Sequence, residues 1–219
     1  MESHEFVAAL VEEMQGLFRQ LGEHETLEAE SKGELEVVTL LKLGMTSELE
    51  ASEIAALWMP TTPEIDAKLI LAQQCADEMK HYQLIGGRLE ELGQDLSAFD
   101  ALADGYSPLY NYLRDLPSTL ERIAAGPFAH EAIAEVRNAQ FIEFCRSVGD
   151  EGTAKLYEEI IHPEEVHHHQ MGRSFLERYA RTPEEQERAA GAARTTLAIA
   201  DELRNLAEKI TGLHHIPVS

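Results

Sequence analysis

Only two cysteines, Cys75 and Cys145, occur in the chain, and they share no CxxC spacing. That scarcity excludes a disulfide framework and a rubredoxin-like iron site. It leaves two thiols in separate apolar helical patterns, as expected of a reducing, cytoplasmic setting. Positive charge is scarce too: eighteen Lys and Arg stand against forty Asp and Glu, for a formal net charge of −22. Such an acidic surface repels nucleic acid and anionic membrane and steers cations inward. No apolar run approaches the ~18 residues needed to cross a bilayer, and the acidic start MESHEFVAALVEEM carries no signal-peptide pattern. Neither a nucleic acid nor a membrane is therefore an expected partner. β-Branched residues are sparse, while Ala, Leu and Glu dominate, which points to helices.

The periodic stretches are long. Residues 5–21 read as a short amphipathic helix, followed by a connection from Gly22 to Gly33. A helix over 34–59 ends at Met59-Pro60-Thr61-Thr62-Pro63, where Pro60 stops one helix and Pro63 can start the next over 64–92. Residues 93–127, broken by Gly93, Gly105, Pro108, Pro117 and Pro127, read as a crossover with room for short helices only. A third core helix over 128–148, a turn at Gly149–Gly152 and a fourth helix over 153–180 with Pro163 inside it complete a second hairpin. Thr182-Pro183-Glu184-Glu185 caps a last helix running to about Ile210, ahead of a loosely ordered tail. The expectation is all-α: a four-helix bundle with a long crossover and additional helices at both ends. It forms a single domain over 1–219, with the core at about 34–180.

The chemistry lies in two Glu-x-x-His motifs, Glu78 with His81 and Glu165 with His168. Residues i and i+3 share one helix face, so a carboxylate and an imidazole can hold one metal together. Leu71, Cys75, Tyr82, Ile85 and Leu89 flank the first pair on its stripe, and Ile161, Gly172, Phe175 and Tyr179 flank the second. An ionised carboxylate on an apolar stripe is costly unless paired or metal-bound. Solvated glutamates with satisfied histidines are the ordinary alternative, and Glu164 with His167 is a competing register. His169 is assigned to a supporting or surface role. An acid precedes each pair, Asp77 and Glu164.

A bundle site also takes a carboxylate from each partner helix. On the third helix Glu135 is the leading candidate, on the stripe Phe128, Ala132, Ala139 and Ile142, with Glu131 the fallback and Glu143 solvated. On the first core helix Glu50 leads, on the stripe Leu40, Leu43, Ser47, Ile54 and Leu57. Glu53 and Glu48 are its alternatives, Glu48 being more level with Glu78 but on a weaker stripe. The ligand set is then Glu50, Glu78, His81, Glu135, Glu165 and His168. Four carboxylates and two neutral imidazoles balance two divalent ions, and oxygen-rich donors suit iron, with manganese the alternative. Tyr82, one turn after Glu78, is the candidate catalytic hydrogen-bond donor, or else an ordinary core aromatic.

The stretches PEIDAKLILAQQCADEMKHYQLIGGRLEELG and IIHPEEVHHHQMGRSFLERYA resemble the core helices of the ferritin-like di-iron carboxylate superfamily. The neighbourhood is that of the bacterial multicomponent oxygenases acting on phenylacetyl-coenzyme A. The resemblance covers residues 34–180. It implies a carboxylate-bridged di-iron centre that activates dioxygen, metal roles for Glu78, His81, Glu165 and His168, and one acid from each partner helix. The short Met59–Pro63 turn departs from those oxygenases and is nearer the aldehyde-deformylating ones. Without a four-cysteine domain, electrons must come from an external reductase.

Three functions follow as expectations: a di-iron oxygenase acting on a small organic substrate, a ferroxidase or peroxide scavenger, and a non-catalytic helical accessory protein. Trp58 and the terminal helices offer surfaces for a homodimer.

Overall fold

The structure is a computed structural model and describes residues 1–20 and 36–211. The connection from Gly22 to Gly33 and the C-terminal tail lie outside the described residues. Every regular element among those described is helical. α1 spans Ser3–Gln20. α2 (Val37–Trp58) and α3 (Ile65–Glu91) form the first hairpin around a 3₁₀ turn at Met59–Thr61. Pro60 ends α2 there, and Thr62 Oγ1 and Lys68 Nζ donate to the freed carbonyls of Trp58 and Met59. Gly93, at φ 81°, then closes α3: Gln94 N–H donates back to Leu89 O, a reversal that needs the left-handed conformation glycine adopts freely.

The crossover carries α4 (Pro108–Arg114), capped by the Ser107 hydroxyl, and α5 (Thr119–Ile123), capped by Ser118. The third core helix begins earlier than the prolines suggest. α5 runs without a break through a π-helical segment, Ala124–His130, into α6 (Glu131–Ser147). Pro127 lies inside that segment instead of ending the crossover. The fourth core helix is likewise interrupted: α7 (Glu151–Leu156) passes through a π turn at Tyr157–Ile161 into α8 (His162–Tyr179). Pro163, without an N–H, stands just beyond that π turn; a wider turn absorbs the missing bond. α9 (Pro183–Thr211) starts with the expected capping box, Thr182 and Glu185 exchanging side-chain to N–H bonds.

Two apolar clusters fill the bundle. One joins Leu41, Met45, Ile85, Leu89, Phe141, Phe144, Tyr157 and Ile161. The other joins Ile54, Trp58, Leu71, Phe128, Phe175 and Leu176 to α1 and to the alanines of α9. Along α2, α3 and α8 the sequence passes from one cluster to the other. The residues at the changeover are Glu48, Glu78 with His81, and Glu165 with His168. A polar layer is thereby held between two hydrophobic ends.

A candidate metal centre at the bundle midplane

Glu78, His81, Glu165 and His168 are all brought together at that layer, and all are buried. Their ligand atoms form two overlapping groups, Glu48–Glu78–His81–Glu165 and Glu78–Glu131–Glu165–His168, each with atoms within 4.8 Å of one another. Glu78 and Glu165 belong to both groups. Helices α2, α3, α6 and α8 contribute one carboxylate each, and α3 and α8 add one imidazole each.

The acids that α2 and α6 bring into these groups are Glu48 and Glu131, in place of the expected Glu50 and Glu135. On α2 the buried stripe is Leu41, Met45, Ser52 and Ala55, with Glu48 in phase with it, whereas Leu43 and Leu57 of the expected stripe are exposed. Glu50 faces the crossover, where its carboxylate accepts Ser107 N–H at 2.6 Å and Ser107 Oγ–H at 2.5 Å. Glu53 accepts the Tyr106 hydroxyl. Glu135 is half-buried one turn beyond Glu131, in a shallow hollow with Val11, Met14 and His169. The stripe that favoured it was counted through Phe128, which sits in the π segment, where each turn takes an extra residue and the phase slips. On α8 it is Glu165 and His168 that are buried in the layer, whereas His167 is exposed. His169 stacks on Phe128 and its Nδ1–H donates to Phe128 O at 2.7 Å.

The two halves brace each other crosswise. His81 Nδ1 faces Glu78, Glu48 and Glu165 at 3.1, 3.3 and 3.4 Å, while its Nε2 meets Glu164 at 2.8 Å. His168 Nδ1 faces Glu165 and Glu78 at 3.2 and 3.3 Å, while its Nε2 meets Asp77 at 3.2 Å. Each acid preceding one motif thus orients the histidine of the other. Lys80 spans both acids, at 2.5 Å from Glu164 and 3.6 Å from Asp77. Histidine ligands depend on such outer partners, whose loss typically costs 10–100-fold in metal affinity. Asp77→Asn and Glu164→Gln are each expected to weaken metal binding by about 10–100-fold, read by competition with a chelator. Unchanged affinity in both would contradict this bracing role.

The electrostatics describe a site competing for cations. Burial would lower His168, but hydrogen bonds to Glu165 and Glu78 outweigh it and raise it to about 11. His81 is raised for the same reasons, burial opposed and overcome by Glu165, Glu48 and Glu78. Burial pushes Glu48 and Glu131 well above the usual carboxylate range, aided by the neighbouring charges of Glu78 and Glu165. Against their own burial, the histidine bonds hold Glu78 and Glu165 low. Glu78 Oε1 is buried with no aligned donor, although His168 Nδ1 lies 3.3 Å away. An orphaned carboxylate oxygen among protonated partners fits a divalent ion: four carboxylates and two imidazoles match the charge and donor chemistry of a two-ion site.

Protons and metal therefore compete. Loading divalent ions is expected to acidify a weakly buffered solution, and affinity is expected to fall as pH falls. A loading curve that releases no protons would contradict the assignment. In metal-free protein the sign for the histidines is opposite to that of a depressed acid. The stability contributed by His168 is fully present below its ordinary value of 6.5 and is lost as pH rises through about 11.

Two neighbours escaped the sequence reading. Gln74, buried one turn before Glu78, donates Nε2–H to Glu131 at 2.5 Å. Tyr157 is buried in the π turn of α8's entry, near enough to Glu48 and Glu165 for their charge, added to burial, to hold its phenol well above 10. Gly44 on α2 leaves room for that hydroxyl: a β-carbon there would lie 3.1 Å from it. Both residues follow the helical stripe of their motif, which was the available signal. Tyr82, the sequence-based choice for a donor, packs half-buried against the apolar cluster of Ile85 and Leu89.

No helix among the described residues is long and apolar enough to cross a membrane. The structure is similar to that of a TenA homologue from Pyrococcus furiosus, with a TM-score of 0.64 over 92% of this chain and 99% of that one. At 18% identity the likeness concerns the fold alone. No curated protein matches the chain in sequence. A family model described as a protein of unknown function, DUF455, matches residues 48–205, a span that begins at Glu48 and includes every residue of both groups, and the chain belongs to that family.

Proposed function

We propose that the protein is a ferritin-like di-iron oxidoreductase that activates dioxygen to oxygenate a small organic substrate. The observation that carries this reading is the midplane layer, in which Glu48, Glu78, His81, Glu131, Glu165 and His168 form two donor groups that overlap at Glu78 and Glu165 and would hold the metal. Bound as a ferrous pair, iron would supply electrons to dioxygen, and an external reductase would restore them. The protein's own part is positioning and exclusion. Asp77 and Glu164 fix the imidazole orientations, the two apolar clusters close the layer at its two ends, and the protonated Tyr157 phenol places a hydroxyl beside it.

An apolar cavity favours an organic substrate over a ferroxidase role. It occupies about 210 Å³ under α4, and two of its lining residues, Gln74 and His130, adjoin Glu131. His130 Nδ1 lies 3.6 Å from Glu131 Oε1. A ferroxidase needs a polar route to the metal and no such chamber. Ferrous-loaded protein supplied with a chemical reductant and a panel of small hydrocarbons and alcohols should consume oxygen with incorporation of labelled oxygen into one of them, read by mass spectrometry. Oxygen uptake that yields only water or peroxide, whatever the organic compound, would leave the ferroxidase or scavenging reading instead.

A further inference from the structure

The cavity beside Glu131 presents a mostly apolar surface. Its walls are Ala51, Ile54 and Trp58 from α2 and Leu109 and Leu113 from α4. About 210 Å³ is modestly more than a 150 Å³ apolar cavity that accepts benzene. The volume suits one substituted ring or a short branched chain. Trp58 is held as a fixed wall: its indole N–H donates to Leu113 O at 3.2 Å, and its ring edge lies against Gly126, where a β-carbon would come within 3.0 Å.

The polar end of the cavity is negative. Glu50 lines it and is 9% exposed, and both its oxygens already accept hydrogen bonds from Ser107. No lysine or arginine lines the cavity among the described residues. Beyond Gln74 lie the four carboxylates of the metal layer. A ligand carboxylate or phosphate would enter this space with no cation to meet it and like charge at two sides. An ammonium would give up its hydration to a carboxylate whose two oxygens already accept from Ser107. A hydroxyl, by contrast, can donate to a remaining lone pair of Glu50 while its hydrocarbon body contacts Trp58 and Ile54.

We infer that this cavity is a binding site for a compact, uncharged and mainly apolar molecule, about one substituted ring in size, and that it selects against anions. The inference rests on the proposed function only in treating the ligand as the substrate; the binding itself needs no metal. Trp58 is the sole tryptophan and is 1% exposed, so its fluorescence reports the cavity directly.

The test titrates metal-free full-length protein with benzyl alcohol, benzoate and benzylamine, three probes of one shape and different charge, with calorimetry as a second readout. Benzyl alcohol should give a saturable change in Trp58 emission, with benzoate at least tenfold weaker and benzylamine no tighter. Ala51→Phe fills the cavity and should weaken benzyl alcohol at least tenfold. Ser47→Leu, at a less buried wall position, should do the same if the first variant fails to fold. Leu69→Ala, on the outer face of α3, should leave binding unchanged. Absence of saturable binding, benzoate as tight as the alcohol, benzylamine tighter, or filled variants that bind normally would each overturn the inference. Because no metal is present, failure here leaves the di-iron reading standing, and failure of iron loading leaves this binding intact.

Discussion

Glu165→Gln is expected to take up neither metal ion under conditions that load the unaltered protein with two. Glu165 belongs to both ligand groups, contacts His81 at 3.4 Å and His168 at 3.2 Å, and lies at the midplane where α8 faces α3. The substitution keeps the shape of the side chain but removes a charge from both ligand groups. Losing an outer partner of a metal ligand costs about 10–100-fold in affinity, and losing a shared ligand costs more than that at each ion. Glu78→Gln should behave alike. Glu50→Gln and Glu135→Gln should retain normal metal content, because one carboxylate holds Ser107 at the start of α4 and the other lies in the hollow beside α1. Elemental analysis of the four variants after identical anaerobic loading separates the outcomes. Metal loss in Glu50→Gln with retention in Glu165→Gln would reverse the assignment.

The second large effect is structural. At Gly172 on α8, an added β-carbon would lie 2.7 Å from Phe128 N, 2.7 Å from Pro127 C and 2.9 Å from Pro127 O. These are backbone atoms of the π segment, so no side-chain rotation relieves the clash; the two helices must move apart. Gly172→Ala is expected to lower stability by about 2–3 kcal/mol, or about 5–10 °C in Tm for a chain of this size. The cost extends to the site, because the π segment leads directly into Glu131. A shift there also strains the His169 bond to Phe128 O, so metal affinity should fall with stability. Gly191→Ala is the contrast: nothing lies within 4 Å of its added carbon, and alanine is the better helix former by about 1 kcal/mol. Thermal unfolding of the two variants checks both signs.

The parts of this site that were legible in sequence are those with a local rule. Glu78 with His81 and Glu165 with His168 announce themselves because i and i+3 share a face, and because each carboxylate interrupts an apolar stripe. Asp77 and Glu164 were visible as preceding acids, but their crosswise pairing joins two helices and has no local pattern. Glu48 and Glu131 are single carboxylates, and only the relative phase of neighbouring helices selects them. On α2 an apolar stripe runs through Leu43 and Leu57, both of which face outward. On α6 a period of 3.6 residues per turn slips across the π segment. Pro127 misled in a related way, since an internal proline reads as a helix end unless a wider turn accommodates it. Both π segments adjoin the midplane layer, one entering Glu131 and the other lying four residues before Glu165. A periodic reading therefore loses phase in the turns that lead into these two acids.

The bundle itself was more legible than its junctions. Helix ends at Met59–Thr61, Gly93, Gly149 and Thr182 follow from proline, glycine and capping chemistry that acts within a few residues. The cavity was not legible, since its walls come from α2, α3, α4, the π segment and α9, which no spacing rule connects.

The most direct test of the account is metal stoichiometry in protein purified without chelator, then loaded anaerobically with ferrous iron and exposed to air. The account expects two irons per chain, one for each ligand group, with charge-transfer absorption of a ferric pair growing in after oxygen. Protein that takes up no iron specifically, or that gains iron equally well when Glu78 and Glu165 are both replaced by glutamine, would contradict it.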